Sequence, residues 1–358
     1  MSRRAGSDVA RRRSDTAATT EPALSSNAWL VSRRADFWIA SAGGASLLIV
    51  IVLVLLWHGD RELDAADLLL SELHLGATYD AIVRRRLWRQ MPLDVLAVPL
   101  AIVVATYALV LRGWPLVVTT AILYLGAWHR GRQNLGIARY YQRGVGGVVS
   151  SGHQRLFSAA VYLPMIAAVA YYTNTAPTHE GEPFHRLSLE STVVWSLGAA
   201  AAASVVAYLG WTIGRTGATG NGPRPSDREP TRQRTGLVHP GERWLVLANA
   251  VAFGSAYVLG AWTASFILVL AVHHEVQYLY FTYAVARRSE TTGAAGLLPE
   301  LGRLARFSVW PAIGFASWAA CTFSGLGALG PFLTGGLLGH YWLDGRIWTA
   351  RARRLAAL

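Results

Sequence analysis

Long apolar runs, broken by short arginine-rich or acidic stretches, set the pattern of this chain. A helix needs about 20 mostly apolar residues to cross a bilayer. Runs of that kind are Phe37–Trp57, Leu93–Leu111, Pro115–Trp128, Leu156–Tyr172, Val193–Ile213, Trp244–Ala261, Thr263–Tyr283, Phe307–Leu326 and Pro331–Trp348. A further stretch, Ala66–Val83, is interrupted by Glu72, His74 and Asp80. The run from Trp244 to Ala286 crosses twice only with a tight turn near Gly260–Thr263. The pattern predicts an all-α polytopic transmembrane helix bundle.

Charge then orients the bundle. The chain has 358 residues, of which 53% are hydrophobic and 15% charged. That charge content is below the roughly 25% of soluble domains. The formal charge is +12 and every basic side chain is arginine. Arginines cluster at 3–34, 84–89, 130–143, 215–243, 287–306 and 351–354, whereas His58–Asp64 and Asn174–Glu190 carry mostly acids. Placing every arginine cluster on the cytoplasmic side requires about ten spans with both termini cytoplasmic. Ala66–Val83 must then be a real span. The basic excess therefore reports orientation in a bacterial inner membrane, with no nucleic-acid partner. Residues 1–35 read as a disordered basic tail without a secretory apolar segment. The Gly-, Pro- and Thr-rich stretch 215–242 reads as a flexible cytoplasmic linker between two bundles, 36–214 and 243–358. The lone cysteine, Cys321, lies in an apolar run and reads as a small buried hydrophobe, which excludes a cysteine-built metal site.

Ionisable residues inside a membrane are costly and point to function. Five of the ten histidines fall in or beside predicted spans, in polar clusters: His74, His129, His273, His274 and His340. By the topology, all lie on helices running from outside to inside, at similar depth in the inner half of the bilayer. His58, His153, His179, His185 and His239 read as peripheral, with His239 solvated. Residues three or four apart share a helix face. On that rule Arg132 and Gln133 join His129, Gln277 joins His273 and His274, and Asp344 joins His340. Thr78 shares the face of His74, while Glu275 points away from the histidine pair. Imidazole nitrogens with a few carboxylate oxygens form the ligand set of non-haem iron, as one ion or two, with zinc, copper or haem as alternatives. In this reading His74, His129, His273, His274 and His340 are ligands. Asp344 is a ligand or a base, Arg132 a further site residue, and Gln133 and Gln277 donors that fix ligand tautomers. Tyr278, Tyr280, Tyr283, Tyr140, Tyr141, Trp342 and Trp348 read mostly as an interfacial aromatic belt. Phosphate-binding glycine loops, nucleophile elbows and dinucleotide fingerprints do not occur.

The motifs WHRGRQNLGIARYY, HHEVQYLYFTY and GHYWLDGRIWTAR resemble those of uncharacterised polytopic bacterial membrane proteins. More distantly, they resemble the histidine-bearing membrane oxygenases that include the Brp/Blh carotene-cleaving family and the fatty-acid desaturase/hydroxylase group. The resemblance covers about a fifth of the chain, and the paired histidine boxes of desaturases are absent. It implies non-haem iron held in a bundle for oxygen chemistry on a lipid or isoprenoid near the cytoplasmic side, served by an electron donor. Two other classes fit the same residues: a transporter or proton pathway lined by His, Asp344 and Glu275, and a haem-binding electron carrier.

Overall fold

The computed structural model describes residues 29–41, 71, 74–79, 82–83, 86–144, 149–179, 182–213, 215, 238–290 and 330–356. Most of the expected span Phe37–Trp57, most of Ala66–Val83, the span Phe307–Leu326 with Cys321, residues 1–28 of the tail and most of the linker lie outside them. Among the described residues the regular structure is all helical, apart from one isolated β-bridge between His179 and Glu182. We number the main helices α1 (Leu93–Leu111), α2 (Pro115–Gly144), α3 (Ser151–Thr175), α4 (Ser191–Thr212), α5 (Pro240–Phe253), α6 (Ile267–Glu290) and α7 (Gly330–Ala356). Three of them, α1, α3 and α4, are long and apolar enough to cross a membrane by these residues alone. α1 turns much of its apolar surface outward, with Leu93, Leu100 and Leu111 all exposed. An apolar face of that size has no stable place in water and suits a lipid surround.

Helix α2 is longer than its apolar run. It carries WHRGRQNLG within the helix and reaches Gly144, a length of about 45 Å at 1.5 Å per residue. His129 is therefore near the middle of a continuous helix. α5 continues as a π-helical stretch, Gly254–Leu259, and the chain turns at residues 260–262 before α6. The turn falls where the apolar pattern requires it. Gly260 permits it, because a Cβ there would collide with the carbonyl of Ala256.

Apolar clusters fill the bundle, two of them large. One holds Leu123, Met165, Val169, Tyr172, Phe184, Phe253, Tyr257 and Leu270. The other holds Trp29, Ile137, Tyr141, Phe157, Tyr208, Leu245 and Phe281. An amide ladder ties four helices together. Asn249 donates to the carbonyl of Val161 at 2.9 Å and accepts from Asn134 at 2.8 Å. Asn134 accepts from Gln277 at 3.1 Å, and Gln277 accepts from Gln133 at 2.9 Å. Amide pairs buried in an apolar bundle have no water to return to, so each bond fixes helix rotation as well as stability.

Two buried carboxylates anchor the second cluster. Asp36 accepts from the backbone of Leu30 and Val31 and from the hydroxyls of Tyr141 and Tyr280. Glu242 accepts from Gln142 and Tyr208 and lies 3.0 Å from Nε2 of His153. His153 and His239, expected at the periphery, are thus inside the structure. His239 is fully buried, stacked on Tyr141 with ring centroids 4.6 Å apart, and its Nδ1 caps α5 by accepting from Gly241 N–H at 2.9 Å. The expectation of solvation failed because the rest of the linker says nothing about its last residues, where Pro240 starts a helix that needs a cap.

Burial pushes the His239 imidazole down from 6.5 to about 4. The unfolded chain therefore takes up a proton that the folded chain refuses. The stability this ring contributes is complete above about pH 6.5 and falls as the pH drops toward 4. Thermal unfolding of detergent-solubilised protein should shift to lower temperature across that window. His239→Asn keeps a cap acceptor and should flatten the dependence; an unchanged pH slope contradicts the assignment.

Candidate metal centre

Four segments distant in sequence converge on one buried point. The helical residues 74–79 bring His74 and Thr78, α2 brings His129, α6 brings His274, Glu275 and Tyr278, and α7 brings His340 and Asp344. Each site residue on α7 follows from how that helix sits. Gly335 lets α7 press onto α1, since a Cβ there would lie 2.7 Å from Val103 Cα. Further along, Arg346 forks onto Asp94 of α1, with Nε–Oδ1 2.9 Å and Nη2–Oδ2 2.8 Å. Between these two points His340 and Asp344, one helical turn apart, face inward and are nearly inaccessible.

The two oxygens of Asp344 have separate tasks. Oδ1 accepts from the hydroxyls of Thr78 and Tyr278, each at 2.9 Å. Oδ2 faces three imidazoles, lying 3.6 Å from His74 Nε2, 3.6 Å from His129 Nε2 and 3.8 Å from His340 Nε2. Ligands on a tetrahedral ion with bonds of about 2.1 Å stand about 3.4 Å apart, so these edges are close to ligand spacing. The edge between His74 Nε2 and His340 Nε2 is shorter, 2.6 Å, a hydrogen-bond distance that an ion between the rings would open. One ligand atom from each of His74, His129, His340 and Asp344 lies within 4.8 Å of all the others. A second group, His74, His274 and Glu275, meets the same limit.

The buried atoms test whether a cation fits. His129 Nε2 and His274 Nδ1 make no hydrogen bond although each is inaccessible, and His74 Nδ1 and Glu275 Oε2 have only each other, 2.9 Å apart and poorly aligned. Unsatisfied buried acceptors cost about 1–3 kcal/mol each, more when charged, and one cation relieves several of them together. The donor set is imidazole and carboxylate without sulfur, which suits a borderline divalent ion. These residues therefore fit a metal ion, and their chemistry leaves its identity open among iron, zinc and copper.

The expected site residues divide clearly. His74, His129, His274, His340 and Asp344 come together. His273 does not: it is buried beside His274 in sequence but belongs to neither ligand group. Arg132 is exposed and points to the Trp128 ring, 6.0 Å from its centroid. Gln133 and Gln277 bond to each other, and Gln133 also donates to the carbonyl of His274 at 3.0 Å. They hold α6 against α2 rather than orienting an imidazole. Glu275, expected to point away from the histidine pair, reaches His74 Nδ1 at 2.9 Å. Tyr278 joins the site through Asp344, and not as part of an interfacial belt; its i, i+4 spacing from His274 is the sequence signal for that. His179, expected in an outer loop, is buried and lines a cavity of about 60 Å³ beside the cluster, with Arg130, His274, Glu275 and Tyr341. Nothing local in the sequence signals its position, which depends on the loop folding back over Tyr172.

Fold and site together define a class: a helical protein with membrane-length apolar helices and a buried histidine–carboxylate cluster that could hold a metal ion. The chain matches no protein-family model, no curated protein and no solved structure. The geometry of the cluster therefore carries the functional argument.

Proposed function

We propose that this protein is an integral membrane metal-dependent oxidoreductase, with non-haem iron at the His74–His129–His340–Asp344 cluster and an apolar lipid or isoprenoid as substrate. The observation that carries this reading is the set of buried imidazole nitrogens and carboxylate oxygens gathered around one point, several of them without a well-aligned hydrogen bond, with a small cavity beside it. Structural metal sites are closed by protein ligands, whereas reactive ones keep a position open to an incoming molecule. The cavity of about 60 Å³ has room for a few water-sized molecules, which suits dioxygen or water. Iron in such a nitrogen–oxygen set supplies one-electron and oxygen chemistry. The chain's own contribution is to hold three imidazoles and one carboxylate in place, to exclude bulk water, and to fix Asp344 through Thr78 and Tyr278. An apolar substrate arrives laterally from the bilayer, and electrons come from a separate donor.

A haem fits these residues less well, because a macrocycle cannot enter between rings whose nitrogens are 2.6 Å apart. The pathway reading, with His, Asp344 and Glu275 lining a route, needs polar residues beyond the cluster, and the Gln133–Gln277–Asn134–Asn249 ladder is one such set. Amides bonded in a fixed order carry no titratable group, so the ladder favours a structural role. The reading also keeps the orientation given by the arginines: about ten spans in a bacterial inner membrane, with both termini cytoplasmic.

Two experiments test these statements. Metal analysis of purified protein should find iron at a fixed ratio to chain, lost in His129→Ala and His340→Ala and bound roughly 10–100-fold more weakly in Thr78→Val. Folded wild-type protein that holds no metal after supplementation contradicts the assignment. For orientation, single cysteines at Glu62 and Arg228 in a Cys321→Ser background should differ. An impermeant maleimide on intact cells should label the first and not the second; the reverse pattern overturns the topology.

A further inference from the structure

The two ring nitrogens of His74 face two different sets of ligand atoms. Nε2 lies 2.6 Å from His340 Nε2 and 3.6 Å from Asp344 Oδ2. Nδ1 lies 2.9 Å from Glu275 Oε2, and the His274 ring packs against the His74 ring at a centroid distance of 4.7 Å. The two lone pairs of an imidazole diverge in the ring plane, so no single ion accepts both. The contact on the Nδ1 side is an ion-pair distance without the alignment of a good hydrogen bond. The two atoms are 2.9 Å apart and buried, yet neither has a bonding partner with acceptable alignment. Two atoms that bind one ion at about 2.1 Å approach each other to about 3 Å while aiming at a third point.

We propose that the centre is dinuclear and that His74 bridges the two ions through its imidazole ring. One ion takes His74 Nε2, His129, His340 and Asp344; the other takes His74 Nδ1, His274 and Glu275. The ions then stand about 6 Å apart, the span of an imidazole bridge with metal–nitrogen bonds of about 2.1 Å. A ring coordinated at both nitrogens carries no N–H, so its proton passes to solvent when the second ion binds. The resulting imidazolate adds a negative charge to those of Asp344 and Glu275, which brings two divalent ions to a net +1 in a low-dielectric interior.

The bridge also divides the labour. All three ligands of the Glu275-side ion, His74, His274 and Glu275, border the cavity, whereas of the other ion's ligands His340 does and His129 and Asp344 do not. The ion on the Glu275 side has three protein ligands and an open position facing that cavity. It adds a second position at which a dioxygen- or water-sized ligand can bind. The ion on the Asp344 side has four ligands and sets the geometry and charge of the bridge.

This inference rests on reading the cluster as a metal centre, and its test separates the two. Purified full-length protein in detergent is stripped with a chelator, titrated with Cu²⁺ and followed by electron paramagnetic resonance. The signal should grow to one equivalent per chain and then fall as the second site fills, because an imidazolate bridge couples the two spins antiferromagnetically. Glu275→Gln should stop at one equivalent with its signal undiminished. Two equivalents with additive signals overturn the bridge, even if the variant fails to fold. Saturation of the wild type at one equivalent overturns the second ion and leaves the single-ion centre standing. Binding of none overturns both.

Discussion

A single carboxylate organises this molecule. Asp344 is nearly inaccessible in an apolar bundle, where an uncompensated charge costs several kcal/mol. The structure meets that cost on both of its oxygens. Thr78 and Tyr278 hold Oδ1 by hydrogen bonds, and His74, His129 and His340 surround Oδ2 at near-ligand distance. Removing any of these partners leaves a buried negative charge with less than it needs. The helices that bear them must therefore arrive together, and a cation among the imidazoles would complete the balance.

Much of the remaining architecture serves that convergence. The Arg346–Asp94 fork and the close contact at Gly335 set α7 against α1 and so place His340 and Asp344. The amide ladder sets α6 against α2 and so places His274, Glu275 and Tyr278 relative to His129. Farther away, Asp36 and Glu242 repeat the same physical solution, a buried carboxylate surrounded by tyrosine hydroxyls and other donors, with no metal-type cluster around them among the described residues. The contrast is informative. Asp36 and Glu242 Oε2 meet hydrogen-bond donors, whereas Oδ2 of Asp344 meets three imidazole nitrogens, of which two are hydrogen-bonded to each other and the third, His129 Nε2, has no hydrogen bond.

The helices were legible because an apolar run of about 20 residues has one stable form in a bilayer. Periodicity also picked out His74, His129, His274, His340 and Asp344, since spacing by one turn ties residues to a common face. It failed where facing depends on a neighbouring helix. Glu275 adjoins His274 in sequence and so seemed to point elsewhere, yet the arc open to the site is wide enough for both. His273, on the other side of His274, falls outside it. Arg132 shares a face with His129 by spacing, but a long charged side chain follows its charge outward. Gln133 and Gln277 belonged to the right region with a different task, because an amide pairs with another amide before it pairs with a ring that a metal would occupy. His179 and His239 depended on how loops fold back, which no periodicity encodes.

X-ray absorption at the iron edge of metal-loaded protein tests the central claim most directly, because it reads the ligands themselves. The account predicts a first shell of nitrogen and oxygen at about 2.0–2.2 Å, with outer-shell scattering from at least three imidazole rings. A first shell containing sulfur, or one with no imidazole scattering, would contradict it.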